Sequence, residues 1–394
     1  MNTGDASYIK QLNRSILLEE IIKNMSLSRS DLARITGLNK ATVSSQVNDF
    51  IQEHIVIEKN IGESITRGRK PILLEINGRA GYSIGVDIDE HQMNILFTDL
   101  KGAPIKKIKL KISNDNLDHV TKQLIESLKP YLADLDQTYK PIGLVGVGVG
   151  IHGIVNNENE IIFTPKHQWS NINIKHSLEA SLQTQVVVDN NANLSVFAEQ
   201  VYDEHIADLF CITLYSGIGL GMIHKNEIYH GYQGFAGEIG HMIIESQGLP
   251  CPCGNKGCWE LYAAEKALVD QLHKKTSIGG AIDLVSLLNQ EGAVPVIDTY
   301  LDYLAIGLNN IINIFNPEKI VLNGAIINEN SPFITEIEHK LKSKMNNYRD
   351  IRASKLGADS AALGGAALAI KNFLGLQAIN YVGYDYTKSS LIAK

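Results

Sequence analysis

Three of the four cysteines in this chain, Cys251, Cys253 and Cys258, fall within eight residues, and His241 stands ten positions before the first of them. No other feature restricts the local fold so tightly. The spacing His-x9-Cys-x-Cys-x4-Cys must either gather four ligands about one point or leave three thiols crowded together. Gly254 and Gly257 lie between the sulfurs, where a missing Cβ permits the tight turns that gathering requires. Three thiolates and one imidazole make a closed tetrahedral zinc shell, the structural rather than the catalytic type. The competing reading is a disulfide with bystanders. Cys251 and Cys253 are too close to bridge comfortably, and four cysteines in 394 residues are too few for a disulfide scaffold. Cys211 lies in the apolar run LFCITL and reads as a core residue. A zinc-bound histidine keeps a second ring nitrogen that can donate to a ligand hydroxyl, so His241 is expected to serve twice.

A chain of 394 residues with 44% hydrophobic and 20% charged side chains is ordinary globular material of two or three domains, which excludes disorder. No stretch approaches the roughly 20 apolar residues of a membrane-spanning helix, and the start MNTGDASYIK has no basic patch followed by an apolar run. A cytoplasmic protein without membrane contact is expected. A net charge of −7 argues against a surface that coats nucleic acid throughout. The charge is uneven, however: residues 1–75 carry a net +1 and the remainder a net −8. A small nucleic-acid-binding head is compatible with that division.

The head shows helical periodicity from residue 8 to 25, with Ile9, Leu12, Ile16, Leu18, Ile21, Ile22 and Met25 forming one expected apolar face. Ser28 with Asp31 has the form of a capping box and starts a second helix that Gly37 can end in a left-handed turn. Asn39 can cap a third helix, whose apolar positions are Val43, Val47, Phe50 and Ile51. Lys40, Thr42, Ser44, Ser45, Gln46 and Asn48 are then expected to be presented to DNA, as in a helix-turn-helix whose last helix enters the major groove. Periodicity alone leaves a small helical bundle equally open. The segment 55–77 reads as two short strands around a polar loop, a wing that ends in Arg67-Gly68-Arg69-Lys70-Pro71. Glycine between arginines lets the backbone approach a narrow groove while Arg67 and Arg69, with Lys70, reach DNA.

Beyond residue 80 come three strand-like runs, YSIGVDI, MNILFTDL and APIKKIKLKI, then a helical stretch and the buried strand GLVGVGVGI. The second half repeats the theme with LFCITLYS, GLGMIHK, EIYHG and the strand KIVLNG. Two similar α/β lobes imply a cleft between them, where small ligands bind.

The string Gly237-Glu238-Ile239-Gly240-His241, followed by CPCGNKGCWE at 251–260, resembles the signature of the ROK family of sugar-responsive repressors and sugar kinases. LARITGLNKATVSSQVN, RGRKP, AGYSIGVDI and GCWELYAAEKAL are similar to strings of that family's xylose-responsive repressors, so the resemblance covers essentially the whole chain. It implies an α/β fold: an actin-like, two-lobed, ribonuclease H-like duplicated body behind an N-terminal winged helix-turn-helix domain. The implied divisions are a head at 1–79 with its basic linker, a first lobe at 80–205 joined by the C-terminal helix 360–394, and a second lobe at 206–359 with the zinc site. It also implies that Glu238, His241 and Glu260 contact sugar, and that Asn190 and Asn191, in VVVDNNAN (186–193), face the same cleft. Carboxylates and amides suit that task because they accept from and donate to neighbouring hydroxyls.

Departures from the family's kinases point away from catalysis. Kinases carry Asp-x-Gly-Gly-Thr in the first hairpin, where this chain reads Asp87-Ile88-Asp89-Glu90-His91. They carry an aspartate as general base at the position of Asn191, and an amide cannot take the proton of the attacking hydroxyl. Only Gly217, Gly219 and Gly221 survive from the phosphate-binding equipment, a weak signal. Thr164-Pro165-Lys166 ahead of Trp169 departs from the repressors' Thr-Pro-Asn, which leaves the sugar open. The expectation is a non-enzymatic, homodimeric or homotetrameric repressor with structural zinc. It would bind operator DNA and be released by a sugar inducer, xylose by resemblance. A ROK sugar kinase, a different sugar, or control by a protein partner are the alternatives.

Overall fold

The head's start and stop signals are met atom by atom. The computed structural model describes residues 6–60, 71–276, 287–288, 290 and 292–381. Helix α1 (Ala6–Asn24) precedes a two-residue strand β1 (Leu27–Ser28) and helix α2 (Arg29–Thr36). Ser28 and Asp31 form the complete capping box, and Gly37 ends α2 at φ 70°. The Asn39 side chain accepts from Thr42 N–H at 2.8 Å to cap α3 (Lys40–Gln52). Strands β2 (Val56–Asn60) and β3 (Ile72–Ile76) pair antiparallel, and β1 joins them in the order β1-β3-β2. Leu17, Leu18, Ile21, Ile22, Leu32, Val43, Val47, Phe50 and Leu74 form the head's core.

The expected apolar face of α1 is only half right. Its buried residues lie between Ser15 and Ile22, whereas Ile9 and Leu12 are 49% and 41% exposed. The head's core reaches only the second half of the helix. Met25 leaves the helix in a left-handed conformation, φ 59°, and is also exposed.

The first five-stranded sheet contains β4 (Gly81–Ile88), β5 (Gln92–Asp99), β6 (Pro104–Lys111) and, after helix α4 (Leu117–Thr138), β7 (Gly143–Ile151). A small sheet of β8 (Ile154–Val155), β9 (Ile161–Phe163) and β10 (Ser170–Ile172) and helix α5 (Lys175–Leu182) follow, then the edge strand β11 (Val186–Asn190) and helix α6 (Asn191–Tyr202). The order is β11-β7-β4-β5-β6, with β4, β7 and β11 parallel and the β4-β5-β6 meander antiparallel.

The second sheet contains β12 (Leu209–Thr213), β13 (Gly219–His224), β14 (Glu227–Ile228), β15 (Lys319–Asn323) and β16 (Asp350–Ala353) in the order β14-β13-β12-β15-β16. Here too three strands run parallel and the first three in sequence form an antiparallel meander. Numbered within its own half, each sheet has the order 3-2-1-4-5, so the duplication is one of topology. Helices α7 (Glu260–Ala263), α8 (Glu265–Thr276), α9 (Ala293–Phe315), α10 (Ala325–Glu329), α11 (Pro332–Lys340) and α12 (Ser360–Leu374) complete the described elements.

The chain falls into two compact units. One takes in 1–191, 200–205 and 361–394, and the other 192–199 and 206–360. The glycines of the buried strands serve packing in each. A Cβ on Gly148 of β7 would lie 2.1 Å from Gly365 O of α12, and one on Gly221 of β13 would lie 2.0 Å from Ala192 O of α6. Helix and sheet therefore approach more closely than any side chain at those positions would allow. No described helix is long and apolar enough to cross a membrane.

Candidate functional site

His241 is carried by a short 3-10 turn, Ile239–His241, in the second unit. The three cysteines sit on a loop that closes on itself. Cys251 N–H donates to Asn255 O at 2.9 Å, and Gly254 N–H returns to Cys251 O at 3.0 Å. Ile244 N–H to Gly257 O at 2.9 Å and Trp259 N–H to Met242 O at 2.8 Å lay the end of the loop against the residues after His241. Gly257 has φ +76°, and a Cβ there would lie 1.7 Å from Glu245 O, so this turn admits no side chain.

His241, Cys251, Cys253 and Cys258 bring one donor atom each to within 4.8 Å of the others. Cys253 Sγ and Cys258 Sγ are 3.6 Å apart, and Cys251 Sγ and His241 Nδ1 3.7 Å. A tetrahedral zinc with Zn–S bonds of about 2.3 Å has S···S edges of about 3.8 Å, so the donor set fits that ion. Cys211 stands apart, buried in β12. Burial pushes the Cys251 thiol up to about 12 and raises that of Cys258, whereas the Asn255 backbone N–H holds Cys253 below the ordinary thiol range. Ligation must therefore displace protons from buried thiols.

Glu238, His241 and Glu260 come together in this unit. Glu260 Oε1 lies 3.3 Å from His241 Nδ1 and 3.4 Å from Cys251 Sγ, and Glu238 Oε2 lies 3.8 Å from His241 Nε2. The imidazole turns Nδ1 toward the cysteines and Nε2 toward Glu238, leaving its second nitrogen on the polar side. The three side chains are between 22% and 40% exposed, so a ligand can reach them. Asn190 and Asn191 belong to the first unit, at the end of β11 and the start of α6. The Asn190 amide donates to Gly153 O at 2.7 Å and so fixes the His152–Gly153 turn as well.

The turn between β4 and β5 is built from carboxylates. Glu90 N–H donates to Asp89 Oδ1 at 2.7 Å, and His152 Nδ1 stands 3.8 Å from Asp89 Oδ1 and 3.9 Å from Glu90 Oε1. A phosphate here would meet negative charge. The glycine repeat of β13 and its preceding turn has packing work to do: besides Gly221, a Cβ on Gly217 would lie 3.2 Å from Glu260 Oε2 and one on Gly219 2.9 Å from Thr213 Oγ1. His167, beside the unusual Lys166, stacks on Trp169 at 4.6 Å and bonds Asp115 at 2.8 Å.

In the head, Lys40, Ser45 and Asn48 of α3 are exposed, and Thr42 and Ser44 are half-buried. Gln46 corrects the sequence reading: it is 4% exposed, and its Nε2 reaches Lys10 O at 3.4 Å. Three residues after Val43 and four before Phe50, it falls on the helix's buried face. Arg67, Arg69 and Lys70 lie outside the described residues. Arg29, which the sequence did not single out, donates to Ser44 O at 3.3 Å, Asn48 Oδ1 at 3.0 Å and Glu58 Oε1 at 2.8 Å. It ties α3 to the wing strand β2. Its partners are 15 to 29 residues away, beyond the reach of any local pattern.

Residues 83–372 match the ROK family. The xylose repressor of Bacillus subtilis (strain 168) is 36% identical over 386 residues, which span 95% of this chain and 99% of that protein. A crystal structure of a ROK family transcriptional regulator, a homologue of the E. coli MLC protein, superposes with a TM-score of 0.76 at 24% identity, covering 93% of this chain and 97% of the other. A ROK family glucokinase from Streptomyces griseus, solved with glucose and AMPPNP, gives a TM-score of 0.62 at 24% identity over 73% of this chain and 99% of the enzyme. At these identities the two solved structures speak for the fold alone.

Proposed function

The chain belongs to the ROK family, and from that premise we propose that it is a sugar-responsive transcriptional repressor of xylose-utilisation genes, without kinase activity. The observation that carries this reading is the 36% identity to a xylose repressor along 95% of the chain, head included.

Residues 1–79 act as the DNA-binding head in this reading. Lys40, Thr42, Ser44, Ser45 and Asn48 meet the major groove, while Arg67, Arg69 and Lys70 add phosphate or minor-groove contacts. A homodimer presents two such heads to a palindromic operator. Glu238, His241 and Glu260 accept from and donate to sugar hydroxyls, and Asn190 and Asn191 are assigned to the same ligand on sequence resemblance. Cys251, Cys253, Cys258 and His241 would hold a structural zinc, which supplies a fixed positive charge that ties the loop together. His241, fixed through Nδ1, keeps Nε2–H for a sugar oxygen.

Kinase activity is disfavoured on two separate grounds. Asn191 cannot act as general base, a loss worth about 10²–10⁴ in rate, and Asp89 and Glu90 oppose a triphosphate. The test is a pair of variants. Glu238→Ala should keep operator binding and lose the response to xylose, and Asn191→Asp should still consume no ATP with a panel of aldoses. Undiminished sugar binding in Glu238→Ala would move the inducer elsewhere, and ATP turnover by the native chain would overturn the repressor reading.

A further inference from the structure

The last described residues do not simply trail off the body. After α12 the chain turns at Gly375 and runs back to α1 of the head. Gln377 N–H donates to Glu19 Oε1 at 2.7 Å and to Ser15 Oγ at 3.0 Å, and Ala378 N–H donates to Glu19 Oε1 at 3.2 Å. The Ser15 hydroxyl donates to the same carboxylate oxygen at 2.6 Å. One oxygen of Glu19 thus collects three donors, two of them from a segment more than 350 residues away. Hydrogen bonds to an ionised acceptor are the strong kind. Leu376, Ile379 and Tyr381 are buried, so the segment is packed rather than draped.

Its far end is fastened to the body. Tyr381 N–H donates to Val201 O at 2.8 Å, and its hydroxyl donates to Leu100 O at 3.2 Å. The Tyr381 ring lies 5.5 Å from that of Tyr202, whose hydroxyl donates to Gly102 O at 3.1 Å. Gly102 is a glycine for this reason, since a Cβ there would lie 2.4 Å from the Tyr381 ring. Val201 and Tyr202 form the last turn of α6, the helix whose first residue is Asn191. At about 1.5 Å per residue, α6 spans about 17 Å between them.

We propose that Leu376–Tyr381 is a strap by which the body holds the DNA-binding head, and that Glu19 is the latch at its head end. This rests on the reading of residues 1–79 as a DNA-binding head and of Asn191 as a sugar-side residue. A helix moves as a rigid rod, so a displacement of α6 at Asn191 is delivered at Val201 and Tyr202. From there the strap carries it to Ser15 and Glu19 of α1. The donors are backbone amides, so the latch depends on Glu19 and on the N–H groups of 377 and 378, of which 377 makes the shorter bond, not on the side chain of Gln377. Glu19 is a positioning residue and needs no contact with DNA or sugar.

The experiment uses the full chain with its metal, a labelled operator duplex and xylose as the probe. Operator affinity with and without xylose, xylose affinity by calorimetry, and amide exchange of the 376–381 segment are measured for the native protein, Glu19→Ala, Glu19→Gln, Gln377→Pro and, as a control on the same helix, Glu20→Ala. Glu19→Ala and Gln377→Pro should keep xylose affinity and operator binding, exchange faster at 376–381, and lose about tenfold of the sugar-induced change in operator affinity, a typical size for coupling between sites. Glu19→Gln, which keeps an accepting oxygen, should retain most of the response, and Glu20→Ala all of it. Gln377→Pro leaves α1 intact and decides the matter should Glu19→Ala fail to fold. Faster exchange with a full sugar response would overturn the strap, as would unchanged exchange in both variants. A native protein that binds operator but ignores sugar refutes the functional reading itself, and the native arm alone reveals that outcome.

Discussion

Glu260 Oε1 lies 3.3 Å from His241 Nδ1, so the carboxylate proposed for sugar and the imidazole proposed for metal are immediate neighbours. On the proposed reading, sugar binding and metal binding should then be coupled. Damage to the cysteine loop should be felt by the ligand.

The native chain should accordingly carry one zinc, and Cys253→Ser should lose it together with thermal stability and about 10–100-fold in xylose affinity, the usual cost of disturbing a ligand's support. Zinc uptake should release protons, because burial pushes the Cys251 thiol up to about 12. Chelator competition should therefore show weaker zinc binding at pH 6 than at pH 8. Elemental analysis that finds no metal in the native protein refutes the site. A zinc-free variant with normal sugar affinity refutes only the coupling.

Gly307→Ala separates packing from helix propensity. In the interior of α9, alanine should gain about 1 kcal/mol over glycine. A Cβ at 307, however, would lie 2.0 Å from the ring of Trp259, which is fully buried and bonded through Nε1 to Tyr303 O at 2.7 Å. Overpacking of a rigid core costs about 1–3 kcal/mol, so the net effect should be destabilising. Trp259 directly follows Cys258, so zinc should also dissociate faster. A raised melting temperature would show that the Trp259 contact yields easily.

Two neighbours on α3 should behave in opposite ways. Ser45 is exposed, and its replacement should change operator preference by about 1–3 kcal/mol per affected base contact without changing stability. Gln46 is buried, and Gln46→Ala should lower stability while weakening specific and random DNA alike. Competition assays beside thermal melts distinguish the two. A specificity change at Gln46 would mean that α3 turns a different face to DNA.

Burial pushes the Glu199 carboxyl up to about 7, where Ser354 is its hydrogen-bond partner. Its ordinary value is 4.5, so the folded state holds the proton more tightly than the unfolded chain. The resulting stability is fully present below pH 4.5 and is lost as pH rises through about 7. Glu199→Gln keeps the shape and removes the titration. It should be the more stable form at pH 8, by about 3 kcal/mol, with the advantage fading toward pH 5. Chemical denaturation at several pH values checks this, and a pH-independent difference would contradict it.

How much of this was legible depends on the range of the interaction. Ser28, Gly37, Asn39 and the cysteine spacing act over a few residues: the first three cap and end their helices as read, and the cysteines gather with His241 about one point. The misreadings on α1 and α3 arose where tertiary cover decides. Ile9 and Leu12 repeat correctly, yet they stay 49% and 41% exposed among the described residues. Gln46 looks polar and outward until Val43 and Phe50 fix the buried face. Arg29, Glu19 and Gly307 draw their roles from partners 15 or more residues away, so no short window along the chain could find them. The strand at 350–353 has the mixed polar composition DIRA and is defined only by pairing with β15.

The most direct measurement follows a labelled operator duplex bound by the native chain while xylose is added, with ATP consumption recorded in the same sample. The expected result is saturable release of operator with no ATP turnover at any xylose concentration. Operator binding that ignores xylose, glucose and N-acetylglucosamine alike, or sugar-dependent ATP consumption, would contradict the assignment of this chain as a sugar-released repressor.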